Sequence, residues 1–369
     1  MHPLALFPPV SSPSLSISRT IHHPAWTERQ ITVPIFSNSG GLLERQLEKN
    51  CVSPPGVAHL DWFGGPEEVR ETGDLFKNQD FQNMGTVVVG RDASLPSWLQ
   101  VREVAGIAMT PVCDCGRLIG RLFEDADASY CMLGGIVPSD LSVSRGEQTR
   151  DVFSTIHRAL RQQGMEFRHV IRTSFYLDRI LDWYGEFNHA RSSFFEKIDL
   201  DLMPASTGVG AANSSGAALC AKVIAVLPKT PAVSVQKAVS PLQGEAAAYG
   251  SAFSRAVEMR DASSRTLYIS GTASIAPDGR TLHVGDAASQ IETTMEVVDA
   301  MLERCGMGIE DMTRGVVYLR DGADAPHWSR YCERRALGSL PVAVAQSDVC
   351  RDDLLFEIEL DAAKQLQNA

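Results

Sequence analysis

What the chain lacks narrows it first. None of its apolar runs approaches the ~20 residues that a membrane-spanning helix needs. Met1 to Ser18 has no basic start and is broken by Pro8, Pro9 and Pro13, so a loose Pro/Ser tail is expected there and not a secretory leader. Positive charge is short as well: 34 Lys and Arg stand against 45 Asp and Glu, a net charge of −11. A surface of that sign attracts neither nucleic acid nor an anionic membrane, so no partner of either kind is expected, and an anionic ligand would need its cations gathered locally. The eight cysteines (51, 113, 115, 131, 220, 305, 332 and 350) form no disulfide framework, in a chain of 369 residues long enough to bury a core without staples. Reduced thiols in a cytoplasm are the expectation. Cys113-Asp-Cys115 is the one close pair, and with no second pair or His at metal spacing it predicts no metal. The segment Pro204-Ala-Ser-Thr-Gly208-Val-Gly210-Ala-Ala-Asn213 has two glycines but lacks the third glycine of a dinucleotide fingerprint and reads as a small-residue loop. No cofactor is expected.

What the chain does contain is one unit written twice. Tyr130-Cys-Met-Leu-Gly-Gly135, Gln148, Gly164 and Phe175-Tyr176-Leu177 are echoed by Leu267-Tyr-Ile-Ser-Gly271, Gln290, Gly306 and Val317-Tyr318-Leu319. Gln148 and Gln290, Gly164 and Gly306, and Tyr176 and Tyr318 are each 142 positions apart, a constancy that marks an internal duplication. In the first copy the apolar stripe Val152, Phe153, Ile156, Ala159 and Leu160 predicts a helix over Gly146 to Gln163, ended by Gly164. A strand follows over Val170 to Leu177, then a helix from about Ile180 to Glu196, which places Tyr184 and Arg191, two turns apart, on one face. The second copy begins near Tyr249 to Arg255 and predicts a strand at Leu267 to Ile275, a helix at about Ala288 to Arg304, a strand at Thr313 to Arg320 and a helix around Trp328. Each unit reads β-β-α-β-α-β, which packs naturally as a mixed sheet with helices on one face, an α+β fold. Residues 1–48 are expected to be a partly disordered extension, 49–232 an N-terminal domain with the first, degenerate unit, and 233–369 the second unit. Short strand-like runs between Ala58 and Leu118 predict a small sheet leading into the first copy.

Each copy closes with an apolar strand, Ala217 to Ala225 and Asp353 to Asp361. In the second, apolar residues alternate with Glu357 and Glu359, which therefore share a face opposite Phe356 and Ile358. Acidic strand faces are most often solvated surface. Laying Leu219 on Leu355, however, puts Ala221 where the second copy has Glu357, and a carboxylate kept in one copy only points to one site per chain.

The strand ending in Gly271, the Gln290 helix, Val317-Tyr318-Leu319 and Phe356-Glu-Ile-Glu359 resemble the RidA/YjgF superfamily. More narrowly, the duplication, Leu181-Asp-Trp-Tyr-Gly-Glu-Phe-Asn188, Pro204-Ala-Ser-Thr-Gly-Val-Gly210 and Cys350-Arg-Asp-Asp-Leu-Leu-Phe-Glu357 resemble the chorismatases, enzymes that remove pyruvate from chorismate. The likeness covers roughly residues 130 to 365. It implies two tandem RidA/YjgF-like (chorismate-mutase-like) units, the second catalytic, and a monomer or homotrimer without cofactor. Chorismate is a dianion with an enolpyruvyl ether on a cyclohexadiene ring. The resemblance implies Glu357 as general acid and Tyr184, Arg191, Thr207, Gly208, Gly271, Arg330 and Cys350 as substrate contacts, with small residues at Gly271 and Cys350 favouring 3-hydroxybenzoate. A donor role needs the Glu357 carboxyl raised above its reference value near ~4.3, which Arg351 opposes if it points inward. For Cys350 to join Glu357 the chain must bend near Asp352. Three alternatives stand: hydrolysis to a dihydrodiol or a 3-/4-hydroxybenzoate mixture, an imine deaminase, and a non-catalytic metabolite-binding protein. The deaminases of the superfamily use a carboxylate-binding arginine ahead of the last strand, and Pro341-Val342 has none.

Overall fold

The computed structural model describes residues 16–35, 42–52, 54–65, 85–90, 95–198, 200–246 and 252–366; of the tail expected over Met1 to Ser18, residues 1–15 lie outside these while Ile17 and Ser18 begin a strand, and of the second copy's expected start at Tyr249 to Arg255, residues 249–251 lie outside. The second sheet is built from β6 (Thr110–Asp114), β7 (Arg117–Glu124), β8 (Ala128–Ile136), β9 (Val170–Leu177), β10 (Ala205–Val209) and β11 (Leu219–Pro228), in the order β6-β7-β8-β11-β9-β10. The third repeats that order as β12-β13-β14-β17-β15-β16, from β12 (Ser234–Ala238), β13 (Ala256–Arg260), β14 (Ser264–Ala273), β15 (Met312–Leu319), β16 (Val342–Gln346) and β17 (Phe356–Gln365). Helices α2 (Arg145–Gln162), α3 (Tyr184–Phe195), α4 (Ala287–Arg304) and α5 (Ala325–Arg334) occupy the expected places. Ser144 and Glu147 close α2 with a reciprocal capping box, Asp286 caps α4, and Gly164 and Gly306 follow the two helix ends at positive φ.

Residues 204–213, read as a loop, contain β10. Five residues with small side chains carry no apolar alternation, so nothing marked them as an edge strand paired parallel to β9.

The N-terminal region departs furthest from expectation. Its sheet, β1 (Ile17–His22), β2 (Thr27–Ile35), β3 (Val57–Gly64), β4 (Gly85–Val89) and β5 (Ser97–Ala105), runs β1-β2-β5-β3-β4, with helix α1 (Leu42–Lys49) between β2 and β3. Strands β3 and β4 are parallel, like β9/β10 and β15/β16, and β5 lies antiparallel between β2 and β3, as β11 and β17 lie in their sheets. This is the same unit a third time, less one outer strand. Of the 48 residues expected as an extension, those in β1, β2 and α1 belong to it.

The helices of each unit cover one sheet face, giving separate apolar clusters around α2/α3 and α4/α5. The opposite faces meet around a common axis, where Phe63, Tyr176 and Tyr318 pack in one cluster with Val209, Val316 and Ala343. These three aromatic residues hold equivalent places: Phe63 pairs with Trp98, Tyr176 with Cys220 and Tyr318 with Glu357. The register therefore puts Cys220, and not Ala221, in the place of Glu357, one residue from the alignment by sequence. The next inward position holds Gln100, Lys222 and Glu359. The acidic face of β17 is thus interior, with Glu359 fully buried and Glu357 nearly so.

Candidate active site

Unit boundaries, not unit interiors, make the cavity. Strand β10 and helix α3 of the second sheet face β14 and β17 of the third, and between them lies a cavity lined by Tyr184, Arg191, Ser206, Gly208, Phe253, Arg255, Gly271, Ala273, Ile275, Cys350, Arg351 and Glu357. Its floor depends on a bulge in β14, whose register against β17 shifts between Ile269 and Thr272. Bulges re-aim backbone beside functional sites. Here the bulge carries Gly271 so close to β17 that a Cβ there would overlap the Glu357 carboxylate and lie 3.2 Å from the Thr207 methyl.

Glu357 is positioned by the repeated glutamine. Gln290 on α4 accepts from the Leu355 N–H at 2.8 Å and donates to the Asp353 carbonyl at 2.9 Å, tying the entry of β17 to the helix. Gln148 does the same job in the second sheet, accepting from the Ala218 N–H. Burial pushes the Glu357 carboxyl up to about 8; the neighbouring Glu359 charge adds to the rise and Arg255 opposes it. The carboxyl is therefore mostly protonated at neutral pH, the state a proton donor needs. Cys350 reaches the same cavity because the chain turns at 352–353, as expected. Burial holds its thiol up at about 12, which keeps it neutral.

The facing wall is cationic and aromatic. Tyr184 and Arg191 share the inner face of α3; Arg191 is 3% exposed, donates to Asn188 Oδ1 at 2.7 Å and lies 5.3 Å from the Phe187 ring centre. Its Nε has no hydrogen-bond partner among the described residues, nor does its guanidinium pair with a carboxylate there. A buried cation in that state is set to receive an anion. Arg255 faces the cavity from the other side, donating to the Gly244 carbonyl at 3.1 Å; burial lowers it to about 10. Arg351 lines the mouth and donates to the Gly279 carbonyl at 2.6 Å.

Six of the eight residues expected at the site, Tyr184, Arg191, Gly208, Gly271, Cys350 and Glu357, line this cavity. Thr207 does not: it stands behind the wall, where its hydroxyl accepts from the Gly271 N–H at 3.0 Å. Arg330 is on the outer face of α5, exposed, donating to the Pro326 carbonyl one turn earlier at 3.1 Å. The helix turns Trp328 and Tyr331 inward onto its own core, which leaves residue 330 facing out. Arg255, Ser206 and Phe253 were missed. Arg255 stands just before β13, outside any periodic pattern, and no feature of its neighbours marks it. The stretch at Pro341-Val342 was also the wrong place to seek a carboxylate clamp: β16 packs toward the N-terminal sheet, and the edge strand facing Glu357 is β10, where Ser206 and Gly208 stand.

Behind the site, at the axis, buried charges from all three units interlock. Glu359 accepts from Arg314 at 2.9 Å, Arg172 at 3.0 Å and the Ser174 hydroxyl at 3.2 Å. Asp61 pairs with Lys222 at 2.6 Å, His59 at 2.8 Å and Arg314 at 3.2 Å. Burial alone would raise Glu359, but Arg172, Arg314 and Lys222 hold it well below the usual carboxylate range.

This chain matches the family described as Endoribonuclease L-PSP over residues 130–226 and 244–364. It is 30% identical over 197 residues to a protein of Streptomyces rapamycinicus named chorismatase, covering 48% of this chain and 57% of that one. The chain thus spans little more than half the length of that relative. It is 25% identical over 261 residues to a 3-hydroxybenzoate synthase of Streptomyces hygroscopicus, covering 63% and 74%. A chorismatase crystal structure superposes with a TM-score of 0.65 at 19% identity, over 90% of this chain and 98% of that one.

Proposed function

The chain belongs to the endoribonuclease L-PSP family, the RidA/YjgF group, and on that premise we propose that it converts chorismate to 3-hydroxybenzoate and pyruvate with Glu357 as proton donor. The observation that carries this is the pairing of a neutral, buried Glu357 carboxyl with a buried Arg191 that has no carboxylate partner among the described residues, on opposite walls of one cavity. The names of two relatives support it.

The dianion would place its carboxylates against Arg191 and Arg255, with the Tyr184 hydroxyl adding a hydrogen bond. Glu357 gives its proton to the methylene carbon of the enolpyruvyl ether, and the ether becomes an oxocarbenium ion. The neighbouring ring hydroxyl attacks the carbon bearing that ether; the C–O bond breaks, its electron pair becomes part of the pyruvate carbonyl, and the hydroxyl proton returns to the Glu357 carboxylate. The resulting arene oxide opens, loses a ring proton and gains one on oxygen, giving 3-hydroxybenzoate. Atoms balance without water, which suits a pocket walled by Phe253, Ala273, Ile275 and Cys350. Water reaching the ether would instead give the dihydrodiol.

The test is to incubate the purified protein with chorismate and separate the products by chromatography. Equal amounts of pyruvate and 3-hydroxybenzoate are expected. Pyruvate with a dihydrodiol or 4-hydroxybenzoate would change the product assignment, and unconsumed chorismate would overturn the proposal.

A further inference from the structure

We propose that Glu359 is a positioning residue for Glu357: its carboxylate, held at the axis by Arg172 and Ser174 of the second unit and Arg314 of its own, keeps the neighbouring acid in its proton-bearing state. This rests on the donor role given to Glu357 above. The geometry carries it. Glu357 and Glu359 are two residues apart on one face of β17, a spacing of about 7 Å along a strand. Glu359 is fully buried, and Arg172 and Ser174 from β9 and Arg314 from β15 hold its two oxygens. Lys222 from β11 and Thr207 from β10 also act on it, lowering its proton affinity. Thr207 in turn receives the Gly271 N–H, so the group beside this carboxylate also holds the bulge against which Glu357 lies.

Two carboxylates this close do not both ionise readily, and the cations settle which one does. They contact Glu359 and leave Glu357 the neutral member. The charged and titratable groups facing Glu357 are Arg255 beside β13, Arg351 and Cys350 on the loop before β17, Tyr184 and Arg191 on α3, and Tyr318 paired across from it on β15. Burial drives Glu357 upward, Glu359 adds to that and Arg255 works against it. The sequence position equivalent to Glu359 holds Lys222 in the second sheet and Gln100 in the first. Only one of the three boundaries thus combines an acid at the outer position with an anion at the inner one.

Side-chain carboxyl titration by carbon-13 NMR, with the Glu357 resonance assigned by its loss in Glu357→Gln, tests this without substrate. Glu359→Gln is expected to lower the Glu357 midpoint by at least about one pH unit, as loss of a charge at ~7 Å in a partly polar interior implies. Glu359→Asp, which keeps the charge, should leave it within about half a pH unit. In pyruvate release, Glu359→Gln should approach wild-type turnover at acidic pH and fall away earlier as pH rises, whereas a residue needed only for structure would lower the rate alike at every pH. Should Glu359→Gln fail to fold with Arg172 and Arg314 left uncompensated, Glu359→Gln with Lys222→Gln preserves the net charge of the cluster, and its Glu357 midpoint should still fall. An unchanged midpoint in a folded variant overturns the inference. A lowered midpoint in a protein that leaves chorismate untouched overturns the reaction alone.

Discussion

At the scale of single residues the site separates arginines that sequence left equal. Arg191 and Arg330 each stand in a helix beside aromatic residues, and both were expected to hold a carboxylate. The structure buries the first in the cavity and leaves the second on the surface. Arg191→Ala should weaken chorismate binding by a few kcal/mol, since a buried charge-assisted contact is lost, and Arg191→Lys should restore only part because the fork geometry is gone. Arg330→Ala should leave affinity unchanged within about twofold. Calorimetric titration of the variants checks both. Glu357→Gln should reduce pyruvate release by roughly 10²–10⁴ or more while chorismate binding stays within about tenfold, because a proton donor acts mainly in the transition state. Near-native turnover would remove Glu357 from the mechanism. The structure also alters what Gly271→Ala should do. The resemblance implied only that a small residue at Gly271 favours 3-hydroxybenzoate; in the fold an added methyl meets the Glu357 carboxylate first. The variant should therefore lose rate as well as shift product toward the dihydrodiol, and a product shift at full rate would mean that the acid moves aside without cost.

At the scale of elements, β17 carries a pH dependence that binding studies would not reveal. Burial raises Glu357 from an ordinary 4.5 to about 8, so the folded chain binds that proton more tightly than the unfolded one. The resulting stabilisation is complete below about 4.5 and declines as pH rises through 8. Glu357→Gln cannot ionise and escapes this decline. Measured by urea unfolding, the variant should gain on the wild type between about pH 5 and pH 8, by an amount on the order of several kcal/mol, because each tenfold difference in proton affinity between folded and unfolded chain is worth ~1.4 kcal/mol. Parallel curves would mean that the site admits enough water to solvate the ionised acid. Much of this strand was legible in the sequence: the alternation placed both glutamates on one face, and the repeated glutamine marked what holds it. Its burial was not legible, because the covering groups Arg172, Ser174 and Lys222 belong to another unit and their approach is a property of assembly. Nor was β10 legible, since Ala205 to Val209 lacks any periodic apolar signal, although it forms half of the wall facing the acid.

At the scale of the molecule, the chain encloses three related boundaries around one axis, and their outer positions differ in ways that bear on how many can work. Glu357 stands at one, Cys220 at the second and Trp98 at the third. The second keeps part of the machinery: β8 has the same register shift as β14, and Gly135 N–H reaches the Thr86 hydroxyl at 3.4 Å as Gly271 reaches Thr207. Its thiol, pushed up to about 12 by burial, is nonetheless no proton donor at neutral pH. At the third, β2 pairs with β5 without a shift and an indole fills the acid's place. The duplication was plain in the sequence because helix, glycine and tyrosine markers kept a constant spacing; the N-terminal copy was not, because it has lost an outer strand and those markers while the strand order survived. The proposal of one working boundary built from two units has a measurable consequence. Calorimetric titration of Glu357→Gln with chorismate should give one site per chain, and Arg191→Ala in the second unit should weaken that same site, whereas Cys220→Ala should leave stoichiometry and affinity as they were. Two or three equivalents bound, or affinity indifferent to Arg191, would mean that the boundary facing Glu357 is not where the dianion sits.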